Sequence, residues 1–259
     1  MNFFMKPNDG RPVSLAARCI SWGLVLLLVA GIFSFAFGRL QYGWYWGAIW
    51  QYRLKFLQGW GMTVLISSAA LALSLAIGLC FALAQRSRLL PVRYLGKLYV
   101  ELIRGTPLLV QILVFFYVVA DAFGISNRYL VGVLTMACFA GAYICEIVRA
   151  GIESIGDSQL ESARAIGLTR GQIYRHVIFP QVVRRVLPPL TGQFASLIKD
   201  SSLLSIIAVS EFTLNAQEVN SFTYSTLESY LPLAVGYLLL TLPISLVSRH
   251  LEKRFYYAT

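Results

Sequence analysis

Runs of about 20 apolar residues recur along this chain, and they exclude most folds. One of them, SWGLVLLLVAGIFSFAFG at residues 21–38, offers water almost nothing to solvate. It is about as long as a helix must be to cross the hydrocarbon core of a bilayer. Six such segments stand out, at about 19–38, 62–84, 105–123, 129–150, 190–210 and 230–248. Charged residues make up 13% of the chain, against roughly a quarter in soluble domains. The fold expected is all-α, a polytopic membrane protein with about six transmembrane helices. The first segment is longer than the apolar core of a signal peptide, and no small-residue cleavage site follows it. It reads as a retained span.

The formal net charge of +10 raises the question of nucleic acid, and the positions of the basic residues answer it. Lys6, Arg11 and Arg18 precede the first span, and Arg86, Arg88, Arg93 and Lys97 fill the loop after the second. Arg164, Arg170, Arg175, Arg184 and Arg185 crowd the long loop after the fourth, and Arg249, Lys253 and Arg254 follow the sixth. Six crossings with both termini in the cytoplasm put every cluster inside, as the positive-inside rule asks. Arg53 and Lys55, in the first outer loop, are the exception, and residues 211–229 hold no Lys or Arg. The basic charge is topology, and no nucleic-acid partner is expected.

The aromatic segment LQYGWYWGAIWQYR suits a short helix at the headgroup level. Small residues in the second span, among them Ser67, Ala70, Ser74 and Gly78, allow close helix approach. Cys19, Cys80, Cys138 and Cys145 form no CxxC pair and have no histidine nearby, so no metal site is expected.

Residues 157–181, DSQLESARAIGLTRGQIYRHVIFPQ, interrupt this lipid-soluble pattern. Ser158-Gln159-Leu160-Glu161 and Thr169-Arg170-Gly171-Gln172 have capping-box spacing. Gly167 stands where the first helix should end, and Pro180 should stop the second about a residue earlier. Two short helices joined by a tight Gly167-Leu168 corner are expected. Leu160, Ala163, Ile166 and Leu168 give one an apolar edge, and Ile173, Val177 and Ile178 the other. Two readings stand: a helical hairpin resting on the membrane face, or a rigid protein-docking element.

Glu161-Ser162-Ala163, then Gly167, then Ile178-Phe179-Pro180, resembles the EAA loop of ABC importer permeases. ELIRGTPLLVQ (101–111), AYICEIVRAGI (142–152) and LIKDSSLLSII (197–207) are similar to the polar amino acid uptake branch. The chain departs from the pattern at Ser162, where relatives have a second Ala, and at Phe179, where they have Leu. It also has Pro188-Pro189-Leu190-Thr191-Gly192-Gln193 where many have an Asn. The resemblance covers roughly 56–255, with the EAA loop at about 151–189. Residues 1–55 are left as an extra span plus the aromatic segment, and 256–259 as a cytoplasmic tail.

The resemblance implies a permease of the bacterial inner membrane. It implies partners: a pair of cytoplasmic ABC ATPases, a second permease subunit (a copy or a relative) and an extracytoplasmic amino-acid-binding protein. Glu161, Ser162, Ala163, Gly167, Leu168 and Pro180 would make the ATPase contact. The partner would use ATP and Mg²⁺, and this chain would bind no cofactor. Consistent with that, no G-x-x-x-x-G-K-[ST] occurs, and Gly96-Lys97 lacks the upstream Gly. No catalytic residue is expected.

Lys199 and Asp200, with Ser201 beside them, fall inside the fifth expected span. There a charge costs at least about 2.5 kcal/mol and marks function by default. They could match the carboxylate and ammonium of an amino acid, or pair with each other. Arg104-Gly105-Thr106-Pro107 opens the third span with residues that disfavour a helix, and unwound backbone in a membrane lines cavities. Arg104 is a candidate for a substrate carboxylate, with Thr106 and Gln111 as neutral partners; it could instead pair with Glu101. Tyr143 either lines the pathway or packs. Glu146 and Arg149 read as a structural pair. Two other classes compete with the importer subunit. A transporter of small zwitterions driven by an ion gradient leaves the hairpin unexplained. A membrane enzyme lacks a nucleophile context, and its only histidines, His176 and His250, lie outside the spans.

Overall fold

Ser14 opens the first helix, α1 (Leu15–Gly38), its hydroxyl accepting from the Ala17 amide at 3.2 Å. α1 has a mean hydropathy of 2.3 across its best 18 residues and is apolar on every side, the signature of a membrane span. The computed structural model describes residues 14–40 and 42–255. Lys6 and Arg11, which enter the orientation argument, and the expected tail 256–259 lie outside the described residues. The chain divides into two units, Met1–Tyr45, which holds α1, and Trp46–Thr259.

The second unit begins with α2 (Gly47–Gln51), the short helix expected of the aromatic segment. Arg53 then stacks on the Trp50 ring and donates to the Trp50 carbonyl at 2.7 Å. α3 (Arg53–Ala84) starts nine residues before the expected span. Residues 86–97, expected as a loop, instead enter a helix, α4 (Leu90–Arg104). The chain bends by 107° at Gly105–Pro107. α5 (Leu108–Val114) follows and runs into a wide π turn, Phe115–Ala120. α6 (Arg128–Glu153) starts at Asn127, whose side-chain oxygen accepts from the Tyr129 and Leu130 amides.

Next come α7 (Asp157–Ala165) and α8 (Arg170–Ile173). A second π turn, Tyr174–Ile178, leads without a break into α9 (Phe179–Asp200). α9 tightens into a 3₁₀ segment, Ser201–Ile207, which ends at Ala208 with φ 57°. α10 (Phe212–Thr223) and α11 (Thr226–Phe255) complete the unit.

α1, α3, α6 and α11 are long and apolar enough to cross a membrane, and the bent α4–α5 pair makes a fifth candidate. The fifth expected span, 190–210, is shared between the second half of α9 and the 3₁₀ segment. Lys199 and Asp200 dilute its apolar run, and the change of helix type follows directly after them.

α3 and α6 pack closely through glycines. A Cβ at Gly78 would lie 2.6 Å from Ile144 Cγ2, and one at Gly141 would lie 2.8 Å from Ile77 Cγ2. Small residues thus do here what the sequence predicted for the second span. Against this pair, Leu108 and Ile112 of α5 share one buried cluster with Leu197 of α9 and with Leu204 and Ile207 of the 3₁₀ segment. The two interrupted helices therefore meet over a common core. At the other end of α3, Phe56 packs against Phe212, Ala216 and Val219 of α10. Lys55 forms an ion pair with Glu218 there.

Candidate functional site

Gly167 makes the corner between α7 and α8. Its φ of +81° is a left-handed geometry that glycine adopts freely and other residues rarely do. The Leu168 amide donates to the Ala163 carbonyl and the Gly167 amide to the Arg164 carbonyl. That pair of bonds is a Schellman closure, and Ala163 and Leu168 touch as the motif requires. At Thr169 the expected capping box forms, with the hydroxyl accepting from the Gln172 amide while Gln172 Oε1 accepts from the Thr169 amide at 2.9 Å.

The box expected at Ser158 does not form. α7 starts two residues earlier, with Gly156 in the cap position and no side-chain cap, so Ser158 is already helical. Asp157 in the first turn supplies the negative charge that favours a helix start. Pro180 does not stop the second helix either. In a regular α-helix its ring would strike the carbonyl four residues back. The π turn before it, with the Phe179 amide donating to the Tyr174 carbonyl five residues back, lets α8 continue into α9.

The hairpin has its own small core: Ile155, Ala163, Ile173 and Ile178 are buried with Leu160, Leu168 and Val177 against them. Gln181 of α9 donates to Gln159 Oε1 of α7 at 2.8 Å, and Arg185 donates to the Ser154 carbonyl. Ile166, expected on the apolar edge, is instead 76% exposed. It borders a hollow of about 450 Å³ lined also by Ser158, Ser162, Ala163, Leu168 and Val177. Glu161, Ser162 and Gly167 are exposed around it, and Pro180 is exposed at the start of α9.

The membrane candidates fall into two groups. Arg104 at the end of α4 donates to Glu146 Oε2 at 3.1 Å and lies 5.3 Å from the centre of the Tyr143 ring. Its partner is therefore Glu146, 42 residues away, and not Glu101. Arg149 holds the same carboxylate at 2.5 and 3.0 Å and pairs with Glu153. Thr106 and Gln111 repair the broken backbone: the Gln111 amide nitrogen donates to the Ile103 and Thr106 carbonyls and to Thr106 Oγ1, and Thr106 Oγ1 donates to the Leu102 carbonyl. That leaves Gln111 Oε1 buried without a partner.

Lys199 and Asp200 close α9 and form the second group. Lys199 is exposed and Asp200 half-buried. Among the described residues no ion pair involves either, so they do not bridge to each other. Ser201 is buried, its hydroxyl donating to the Ile198 carbonyl at 2.8 Å. Just beyond lies a cavity of about 350 Å³ lined by Leu109, Ser202, Leu203, Ser205, Ile206 and Gln217. The sequence reasoning missed Ser202, Ser205 and Gln217. The signal was there in part, because residues three apart align along one edge of a 3₁₀ helix. Gln217 comes from α10, and only the fold brings it near.

Residues 74–256 match the family described as "binding-protein-dependent transport system inner membrane component". A probable glutamine ABC transporter permease protein of Bacillus subtilis is 36% identical over 199 residues, 77% of this chain and 92% of that protein. A glutamine transport system permease protein of Escherichia coli is 36% identical over 211 residues, 81% of this chain and 96% of that one. Among solved structures, a chain of an amino acid ABC transporter crystallised with histidines superposes with a TM-score of 0.77 at 33% identity, covering 82% of this chain and all of that one. A chain of a methionine ABC transporter, at 15% identity and a TM-score of 0.61, shares the fold.

Proposed function

Because the chain belongs to the binding-protein-dependent transport system inner membrane components, we propose how its parts divide the labour of import. It is the transmembrane permease subunit of an ABC importer for polar amino acids, the reading that both glutamine relatives and the amino acid transporter structure support. The α7–α8 hairpin is the ATPase-docking element, and the observation that carries this is its construction. It is capped, cornered by Gly167 and internally packed, yet it leaves Ile166 exposed over a hollow. A loop resting on the membrane needs no such specification. Insertion of an exposed Ile into a partner contributes about 1.5–3 kcal/mol.

ATP, with Mg²⁺, is hydrolysed by a separate pair of ATPase subunits that engage two such hairpins, one from this chain and one from a second permease. An extracytoplasmic binding protein delivers the amino acid. The hairpin and the α3–α4 corner face the cytoplasm. Within the membrane, Lys199 and Asp200 remain free to meet the carboxylate and ammonium of a zwitterion, with Ser202, Ser205 and Gln217 beyond them as neutral partners. Arg104 is held by Glu146 and orients the inner end of the pathway, while Thr106 and Gln111 keep the α4–α5 bend open. Each charge in the path must be matched by one of opposite sign, since an unmatched one is strongly disfavoured there.

Uptake of radiolabelled glutamine into vesicles carrying this chain with its copurifying partners tests the proposal. Uptake should require internal ATP and persist when ion gradients are collapsed by ionophores. Uptake that follows a proton or sodium gradient and ignores ATP would assign the chain to gradient-driven transport instead.

A further inference from the structure

α4 is a helix with three faces. Gly96, Tyr99, Val100 and Ile103 turn inward: Tyr99 donates to the Cys138 carbonyl of α6, and Gly96 accepts from the buried Gln85 amide at 3.2 Å. Leu95, Leu98 and Leu102 form a second face, each more than half exposed. Arg93, Lys97, Glu101 and Arg104 form the third. A helix with one face on protein, one apolar and bare, and one basic fits the boundary between hydrocarbon and water. The 107° bend to α5 supports this, because a segment at nearly a right angle to a span lies close to the membrane plane.

Between the charged face of α4 and the end of α6 lies a cavity of about 630 Å³. Its inner end is already neutralised, with Arg104 and Arg149 engaging Glu146 and Glu153. Its rim is not. Arg86, Arg93 and Lys97 line it, no ion pair among the described residues involves them, and Glu101 is the only further carboxylate in the lining. We propose that this cleft holds the phosphodiester headgroup of an acidic phospholipid of the inner leaflet, whose acyl chains lie along Leu95, Leu98 and Leu102. Basic clefts between membrane helices on the cytoplasmic side suit such headgroups. Here the apolar face begins where the basic rim ends, which matches a lipid and not a free phosphate.

The inference rests on the proposed function only for orientation, with the α3–α4 corner inside. It is tested on the assembled transporter by native mass spectrometry, titrating phosphatidylglycerol, phosphatidylcholine of the same chains, and inorganic phosphate. Phosphatidylglycerol should bind saturably, and neither of the others should displace it. The variant Arg86→Gln/Arg93→Gln/Lys97→Gln should bind it about a hundredfold more weakly, at roughly fivefold per cation. Changing Arg249, Lys253 and Arg254 to Gln, outside the cleft, should leave binding within about twofold, a control for bulk charge. Circular dichroism of the same variants reports folding separately.

Equal binding of both lipids, equal binding by both variants, or phosphate binding as tightly as phosphatidylglycerol would overturn the proposal. So would loss of the lipid site on assembly, which would assign α4 to a protein partner. Labelling of Ser87→Cys by an impermeant thiol reagent from outside whole cells would instead overturn the orientation, and with it the proposed function.

Discussion

The α7–α8 hairpin and the junction of the two interrupted helices solve opposite problems. In the hairpin the backbone satisfies itself within a few residues: Thr169 with Gln172, Leu168 with Ala163, Gly167 with Arg164. What it leaves over is an apolar side chain, Ile166, bare to solvent. At the junction the partners are distant or missing. Gln111 reaches back eight residues to repair the bend, Arg104 reaches 42 residues to Glu146, and what remains over is charge, at Lys199 and Asp200. A bare apolar group in water asks for a protein, and an unmatched charge in a membrane asks for a polar solute. In the proposed function, each region's ligand answers what its own fold leaves over.

The sharpest way to break that contrast is Gly167→Asp. A non-glycine residue in left-handed geometry costs roughly 1–2 kcal/mol, too little to unfold the chain but enough to open the corner. Uptake should fall to background and the ATPase should no longer copurify, while circular dichroism stays unchanged. Retention of the ATPase would show that the corner is not the docking geometry.

Asp200→Asn addresses the other region. It removes one half of the proposed zwitterion match, and the loss of one charge-assisted bond, about 1.5–3 kcal/mol, should reduce glutamine uptake by ten- to a hundredfold with the ATPase still bound. Unchanged uptake would make Asp200 a structural group. A third substitution, Gly78→Ala, leaves both ligand regions intact and disturbs the α3–α6 seam between them. Overpacking there should cost about 1–3 kcal/mol, read as a lower midpoint of thermal unfolding; no shift would mean that the seam is looser than 2.6 Å implies. Ile166→Ser should weaken ATPase affinity by about 1.5–3 kcal/mol in a pull-down titration, leaving stability nearly unchanged. Smallest of all, Thr169→Ala removes one cap worth about 1 kcal/mol. Hydrogen exchange should quicken across residues 170–173 and nowhere in the membrane core.

The same contrast explains what was legible in the sequence. Four of the expected spans, the Gly167 corner and the Thr169 box are encoded within one helical turn or one apolar run, and they read directly. Ser158 misled because its neighbour Gly156 could cap as well, and Asp157 made the earlier start favourable. Pro180 misled because a π turn upstream accommodates it, and no residue in YRHVI announces such a turn. Residues 86–97 looked like loop because basic residues mark topology, yet the alternation of Arg93 and Lys97 with Leu95 and Leu98 is helical once folded. The Arg104–Glu146 pair and the meeting of Gln217 with Ser202 depend on tertiary packing, which one sequence does not display.

The unbroken passage from α8 through the π turn into α9 has a mechanical consequence. From Arg170 to Asp200 the chain is helical without a break, a path of about 45 Å at 1.5 Å per residue, which joins the proposed docking hairpin to Lys199 and Asp200. Within it Pro188-Pro189 lack two backbone donors, and Ser248 of α11 donates to the Pro188 carbonyl at 3.2 Å. A twist applied at Thr169 thus needs no relay of side-chain contacts to reach Asp200. If the hairpin docks as proposed, it would travel as torque along one backbone, with the paired prolines on its path.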